Sequence, residues 1–344
     1  MKNPVKKSER FILLFTMLLF ALALALAGCS QASAVKKNVP ITLNEVAHSI
    51  FYAPQYAAIE LGYFEEEGID LTVVNGAGAD KVMTALISGD AQIGFMGSEA
   101  SIYVSQEGAA DPAVNFAQLT QRAGNFLVGR TKQPEFKWED LKGKKVLGGR
   151  AGGMPQMVFE YILKKHGIDP KTDLTIDQSI SFGLTAAAFT SGDADYTVEF
   201  EPFATTLEME GCGAVVASLG RDSGYVPYTA YCAKKSYIEK DPELIQKFTN
   251  AIQKGLDYVN SHSAWEIAKT IQPQFKDTPV EKIATIVDRY KSQDTWKENT
   301  VFEKDSFELL ENILEESGEL KKRVPYEKLV RTDFSINAVN VVQK

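Results

Sequence analysis

Beyond residue 38 the chain switches repeatedly between two hydrophobic rhythms. Short runs of consecutive or alternating apolar residues give way to stretches with an apolar residue every three or four positions. The first rhythm belongs to strands and the second to helices. Residues 41–46, 71–74 and 92–95 predict strands, with helices at about 54–62 and 80–88 between them. The same order returns downstream, as strands at 145–148, 174–176 and 196–200 with helices at 155–166 and 184–190. Pro155 opens the first of these later helices and Gly167 ends it, the usual placement of the two residue types.

The two halves match in sequence as well as in order. Ser88-Gly89-Asp90-Ala91 recurs 103 residues later as Ser191-Gly192-Asp193-Ala194, and Gly68-Ile69-Asp70 recurs 99 residues later as Gly167-Ile168-Asp169. The insertion Pro170-Lys171-Thr172-Asp173, ahead of Leu174-Thr175-Ile176, accounts for the difference of four. Strands alternating with helices imply parallel βαβ units, and two copies imply two lobes. Strand-like segments at 116–122, 126–131 and 228–233 read as crossings between the lobes. Helical patterns at 242–261, 280–290 and 307–317 are expected to pack back on the first lobe, and the tail at 330–342 reads as extended. The predicted fold class is α/β: two doubly wound lobes joined by crossing strands. Lobe 1 takes residues 39–124 and 231–344, and lobe 2 takes residues 125–230.

The first residues are of another kind. Lys2, Lys6, Lys7 and Arg10 precede a run from Phe11 to Ala27 made almost wholly of Phe, Leu, Ile and Ala, which ends in Leu26-Ala27-Gly28-Cys29. A basic head, an apolar middle and a small-residue exit predict an export leader over 1–28. The Leu-Ala-Gly-Cys ending resembles a bacterial lipobox, which implies a lipid on Cys29, a flexible tether over 29–38, and an extracytoplasmic chain held on the membrane. Removing a leader of net charge +3 from a chain of −8 leaves −11. So acidic a chain lacks the basic face that nucleic acid requires. Cys212 and Cys232 have no metal-ligand spacing and read as two buried thiols more readily than as a disulfide.

One ordered set of segments carries a family resemblance. It begins with Phe51-Tyr52-Ala53-Pro54-Gln55-Tyr56-Ala57-Ala58-Ile59-Glu60-Leu61-Gly62-Tyr63-Phe64 and Glu65-Glu66-Glu67-Gly68-Ile69-Asp70. It continues through Thr84-Ala85-Leu86-Ile87-Ser88-Gly89-Asp90-Ala91-Gln92-Ile93-Gly94, Glu139-Asp140-Leu141-Lys142-Gly143-Lys144 and the Glu201-Pro202 step. The set resembles the solute-binding proteins of ABC importers, in the branch for nitrate, sulfonates, taurine and thiamine-precursor pyrimidines. The resemblance implies the type II periplasmic-binding-protein architecture, a monomer that closes on a small molecule, and permease and ATPase subunits as partners. It implies no cofactor.

Ligands of open α/β sheets lie beyond the carboxyl ends of the strands, so the strand-end loops supply the candidates. They are His48, Ser49 and Tyr52 in the first loop, Gly97 and Ser98 in the second, Arg122 on a crossing, and Gly152, Gly153 and Met154 at a helix start. Arg122 suits either an anionic ligand or an acid of the other lobe. Glycines before a helix suit an anion. Phe182, Gly183 and Tyr225 are weaker candidates. Glu199 and Glu201 alternate at the end of the 196–200 strand, where the 103-residue offset maps Glu201 onto Ser98. Glu201 is expected to accept a hydrogen bond from the ligand, with Glu199 deeper and supporting.

Enzyme chemistry finds little support. The three histidines are far apart, no GxSxG elbow is present, and side chains at i and i+2 of one strand cannot flank a scissile bond. The pyrimidine synthases of thiamine biosynthesis resemble these binders, but they carry a cysteine-rich motif with histidine that this chain lacks. Aromatic residues beside two acids point to an aminopyrimidine or a related heteroaromatic. Arg122, Arg150 and the glycine-rich helix start point to an alkanesulfonate, taurine or nitrate instead.

Overall fold

The computed structural model describes residues 38–149, 151–180 and 183–342. Two five-stranded sheets organise the chain. In the first, β1 (Val39–Glu45), β2 (Ile69–Asn75), β3 (Ile93–Gly97), β4 (Ala113–Thr120) and β10 (Thr229–Lys234) run in the order β2-β1-β3-β10-β4. In the second, β5 (Asn125–Gly129), β6 (Lys145–Leu147), β7 (Thr175–Asp177), β8 (Tyr196–Phe200) and β9 (Ala214–Ser218) run in the order β7-β6-β8-β5-β9. The orders are equivalent. β1 pairs in parallel with β2 and β3, β6 pairs in parallel with β7 and β8, and the fourth place of each sheet is an antiparallel strand reached by a crossing. β3 and β8 occupy the same place in their sheets and lie 103 residues apart, the spacing of the sequence repeat.

The central strands are apolar, as strands covered on both faces must be. β3, β4 and β5 are buried along their whole length. The chain crosses between sheets at 121–124 and again at 219–228. The two crossings are bonded together: Val226 N–H donates to Gln121 O at 2.9 Å and Tyr228 N–H donates to Thr120 O at 3.2 Å. Beneath them, the Thr120 and Thr229 hydroxyls lie 2.5 Å apart. These bonds fix a hinge from which both sheets present strand ends to one cleft.

Helix Pro242–Ser261 packs on helix Ala53–Glu60 of the first lobe. Gly255 is required there, because a Cβ at that position would stand 2.2 Å from the Pro54 carbonyl oxygen. Helix Lys304–Ser317 departs from expectation and packs on helix Met154–Lys165 of the second lobe. The tail also departs from expectation. Asp333–Val342 is helical, with Phe334 and Ala338 buried four residues apart against helix Pro242–Ser261. Its β-branched residues suggested a strand, and packing overrode that local preference. β9, with glycines just before it, had no clear pattern in the sequence. The leader, the lipobox with Cys29 and most of the tether lie outside the described residues. Among the described residues no helix is long and apolar enough to cross a membrane.

Candidate functional site

The strand-end loops of the two sheets touch, and the space between them is the candidate cleft. Ser49 lies past the end of β1. Its hydroxyl donates to the backbone carbonyl of Glu201 past the end of β8, at 3.1 Å, and accepts from Phe51 N–H at 3.3 Å. Tyr103 of the first lobe donates to Gly152 O at 3.3 Å and reaches Met157 Sδ at 3.5 Å in the second. Aromatic rings close the middle: Phe51 lies 5.8 Å from Phe200 and 5.7 Å from Tyr228, and Tyr52 stands edge-on to Phe95 at 4.5 Å. Trp296 Nε1–H on Phe51 O at 2.8 Å and Tyr290 O–H on Gly124 O at 3.1 Å hold this wall from behind.

The candidate residues divide by what engages them. Tyr52, 3% exposed, is in the aromatic wall. His48 is turned away into a side network. Its Nδ1 is 2.9 Å from Glu45 Oε1, its Nε2 is 2.9 Å from Gln274 O, and the ring lies between Tyr56 and Phe275. The Glu45 hydrogen bond raises the His48 pKa. The Ser98 hydroxyl donates to Pro227 O and so ties β3 to a crossing, leaving the next helix without a side-chain cap. Arg122 belongs to the hinge: Nη1 donates to Gly220 O at 3.1 Å and the guanidinium covers the Tyr225 ring at 4.1 Å. A backbone carbonyl and a ring engage it in place of an acid, while its Nε is buried without a partner among the described residues. Gly152 has φ 75° and donates its N–H to Gln156 Oε1 at 2.6 Å, Gly153 caps helix Met154–Lys165, and Met154 is buried.

The two strand-end acids have different surroundings. Both Glu201 oxygens are engaged: Oε1 accepts from Arg289 Nη1 at 2.5 Å and Thr205 Oγ1 at 2.9 Å, and Oε2 accepts from Thr205 N–H at 2.9 Å. Arg289 also holds Glu208 at 2.5 Å. The Glu201 carboxylate is therefore a structural anchor between helix Val280–Ser292 and the second lobe. Glu199 lines a small cavity of about 30 Å³ with Asn125, Thr185, Phe200, Gly149 and Gly183, where the Thr197 and Thr185 hydroxyls donate to it at 2.6 and 3.0 Å. Burial pushes its carboxyl up to about 7.

Two further residues were not picked out from the sequence. Glu99 follows Ser98, is 4% exposed, and is pushed up to about 7 by burial, against its own backbone and that of Met154, which favour the charged form. Asn125 begins β5 and accepts from Tyr228 O–H at 3.1 Å. Glu99 Oε2 and Asn125 Nδ2 are buried without a partner among the described residues. An orphaned buried donor and acceptor are costly unless something visits them. A local rule would have flagged Glu99 only as a first-turn acid at a helix N-terminus, and nothing local marks Asn125.

A larger cavity, about 620 Å³, lies along β9 and helix Val280–Ser292. Three of its charged groups are already engaged, Arg221 by Ser292, Asp222 by Trp138 and Arg289 by two glutamates. None of its lining residues is among the buried polar groups left without a partner among the described residues, whereas Glu99 and Asn125 are.

Comparison with known proteins follows the same lines. The model for the family described as NMT1/THI5 like matches residues 50–264. The chain belongs to this family. YtlA of Bacillus subtilis (strain 168), a candidate binding protein by its name, is 46% identical over 314 residues, covering 91% of this chain and 93% of that protein. A second NMT1/THI5-like relative is THI5 of Saccharomyces cerevisiae, a 4-amino-5-hydroxymethyl-2-methylpyrimidine phosphate synthase. It is 24% identical, covering 66% of this chain and 69% of that one. The periplasmic nitrate-binding protein NrtA from Synechocystis PCC 6803 shares the fold at TM-score 0.73 and 16% identity, over 89% of this chain and 90% of its own. This chain thus has the fold of periplasmic binding proteins.

Proposed function

We propose that this chain is an extracytoplasmic solute-binding lipoprotein. It captures a small aminopyrimidine-type heteroaromatic in the inter-lobe cleft and passes it to an ABC permease with its ATPase. The carrying observation is the pairing of aromatic walls with unfilled polar groups: Glu99 Oε2 as acceptor and Asn125 Nδ2 as donor, with Glu199 beside Asn125. A ring nitrogen next to an exocyclic amine offers the complementary acceptor and donor, and Phe51, Tyr52, Phe200 and Tyr228 supply the aromatic surface that an opened cleft would stack on a flat ring. Few polar groups set in an aromatic pocket is the usual composition of a small-molecule site.

The family supports this choice, since THI5 is named for making an aminopyrimidine phosphate. The resemblance of YtlA, a candidate binding protein by its name, supports binding over catalysis. Lobe closure around a ligand at the hinge gives a permease a surface that the open form lacks. Cys29 supplies the anchor, and the exported chain acts as a monomer.

Calorimetric titration of the mature protein with 4-amino-5-hydroxymethyl-2-methylpyrimidine, taurine, ethanesulfonate and nitrate tests the proposal. Saturable binding of the aminopyrimidine alone is expected, and binding confined to the anions would refute it.

A further inference from the structure

Helix Met154–Lys165 starts at the cleft, preceded by Gly152 and Gly153, and its N-cap glycine supplies no side-chain hydrogen bond. The first N–H groups of a helix have no partner within it, and that end carries about half a positive charge. An oxyanion sits naturally at such an end. Here a side chain from the other sheet approaches that end: Tyr103, one turn beyond Glu99 on helix Glu99–Gln106, reaches Gly152 O at 3.3 Å and Met157 Sδ at 3.5 Å, and the Met154 backbone favours the charged form of the buried Glu99 carboxyl.

Two features mark this as a built arrangement. Glu99 is 4% exposed, and Oε2 is left without a partner among the described residues. The carboxylate lies against Gly97: a Cβ there would stand 2.1 Å from Oε2 and 2.5 Å from Oε1 and would push it from this position. The charge of Glu99 is felt by Tyr52, Tyr103 and Tyr228, which places it among the aromatic walls of the cleft.

We propose that Glu99 is a tethered anion that fills the oxyanion position of the cleft, so that anionic solutes are excluded and neutral or amino-bearing ones are admitted. The proposal rests on the cleft being the ligand site, but not on the ligand being an aminopyrimidine. A second negative charge at the same helix end would meet repulsion in a site of low dielectric. Removing the carboxylate frees both the space and the N–H groups.

The test uses the mature chain and its Glu99→Ala and Glu99→Gln variants, each checked for cooperative melting and titrated with ethanesulfonate at pH 8. The wild type is expected to bind it weakly or not at all, and Glu99→Ala to gain at least tenfold. Glu99→Gln removes the charge while keeping the shape, and serves if the alanine variant does not fold; a gain of several-fold is expected. Folded variants that gain no ethanesulfonate binding would overturn the proposal, as would a wild type that binds it as tightly as the variants do. An aminopyrimidine titration of the wild type separates the two readings. If it fails while Glu99→Ala gains the sulfonate, the ligand assignment falls and the tethered anion stands. If the wild type binds the aminopyrimidine while neither folded variant gains the sulfonate, the ligand assignment stands and the tethered anion falls.

Discussion

Arg289 Nη1 lies 2.5 Å from Glu201 Oε1, and this contact removes from the ligand's reach the acid that the strand pattern had favoured. The Glu201 side chain is fully buried and Arg289 is 22% exposed. Breaking a buried pair by removing one partner leaves an uncompensated charge. Arg289→Ala is therefore expected to destabilise the protein by about 2–4 kcal/mol, seen as a lower melting temperature. A melting temperature within a degree of wild type would show that the pair is not an anchor.

Glu199 faces the small cavity, with two threonine hydroxyls to hold its position. Glu199→Gln should weaken aminopyrimidine binding by about tenfold, the loss of one charge-assisted hydrogen bond, while leaving the fold intact. Titration calorimetry on the variant measures this directly. Unchanged affinity would take Glu199 out of the site.

Both cleft acids have carboxyls raised to about 7 in the folded chain. A raised acid adds stability below its unfolded pKa, near 4.3 for a glutamate, and loses that stability as pH rises through its folded value. The empty protein should therefore lose stability between about pH 4.5 and 7, by up to about 3 kcal/mol for each acid. The Glu99→Gln, Glu199→Gln double variant should flatten that slope in denaturant titrations across the range. A ligand that donates hydrogen bonds to these carboxylates would favour their ionised forms, so binding at pH 7 should release protons. Calorimetry in buffers of different ionisation enthalpy detects this release.

Ser49 joins the lobes through its hydroxyl at 3.1 Å from the Glu201 carbonyl. A neutral hydrogen bond of this kind contributes about 1 kcal/mol. Ser49→Ala should loosen the closed form and weaken ligand binding by about fivefold, chiefly through faster release in stopped-flow traces. Equal release rates would mean that closure does not depend on this contact.

What was legible in the sequence followed from local chemistry and repetition. The 103-residue offset aligned β3 with β8, and alternation marked Tyr196–Phe200 as a strand ending at the cleft. The roles of the two acids depend on distant partners. Arg289 lies 88 residues beyond Glu201, and the backbone that favours the charged form of Glu99 belongs to Met154 in the other lobe. Neither pairing leaves a local trace. The glycines at 152 and 153 suggested an anion at the helix start, and nothing local pointed to Glu99, which we propose fills that place. Arg122 looked the same from the sequence whether it met a ligand, an acid or, as found, the Gly220 carbonyl and the Tyr225 ring. The C-terminal helix was hidden because its β-branched residues favour strands, and only packing on helix Pro242–Ser261 makes it helical.

The most direct measurement is calorimetric titration of the mature wild-type protein at pH 7 with 4-amino-5-hydroxymethyl-2-methylpyrimidine, beside ethanesulfonate and nitrate. Saturable binding of the aminopyrimidine with proton release, and no binding of either anion, is the predicted result. Tight binding of an anion with none of the aminopyrimidine would contradict it.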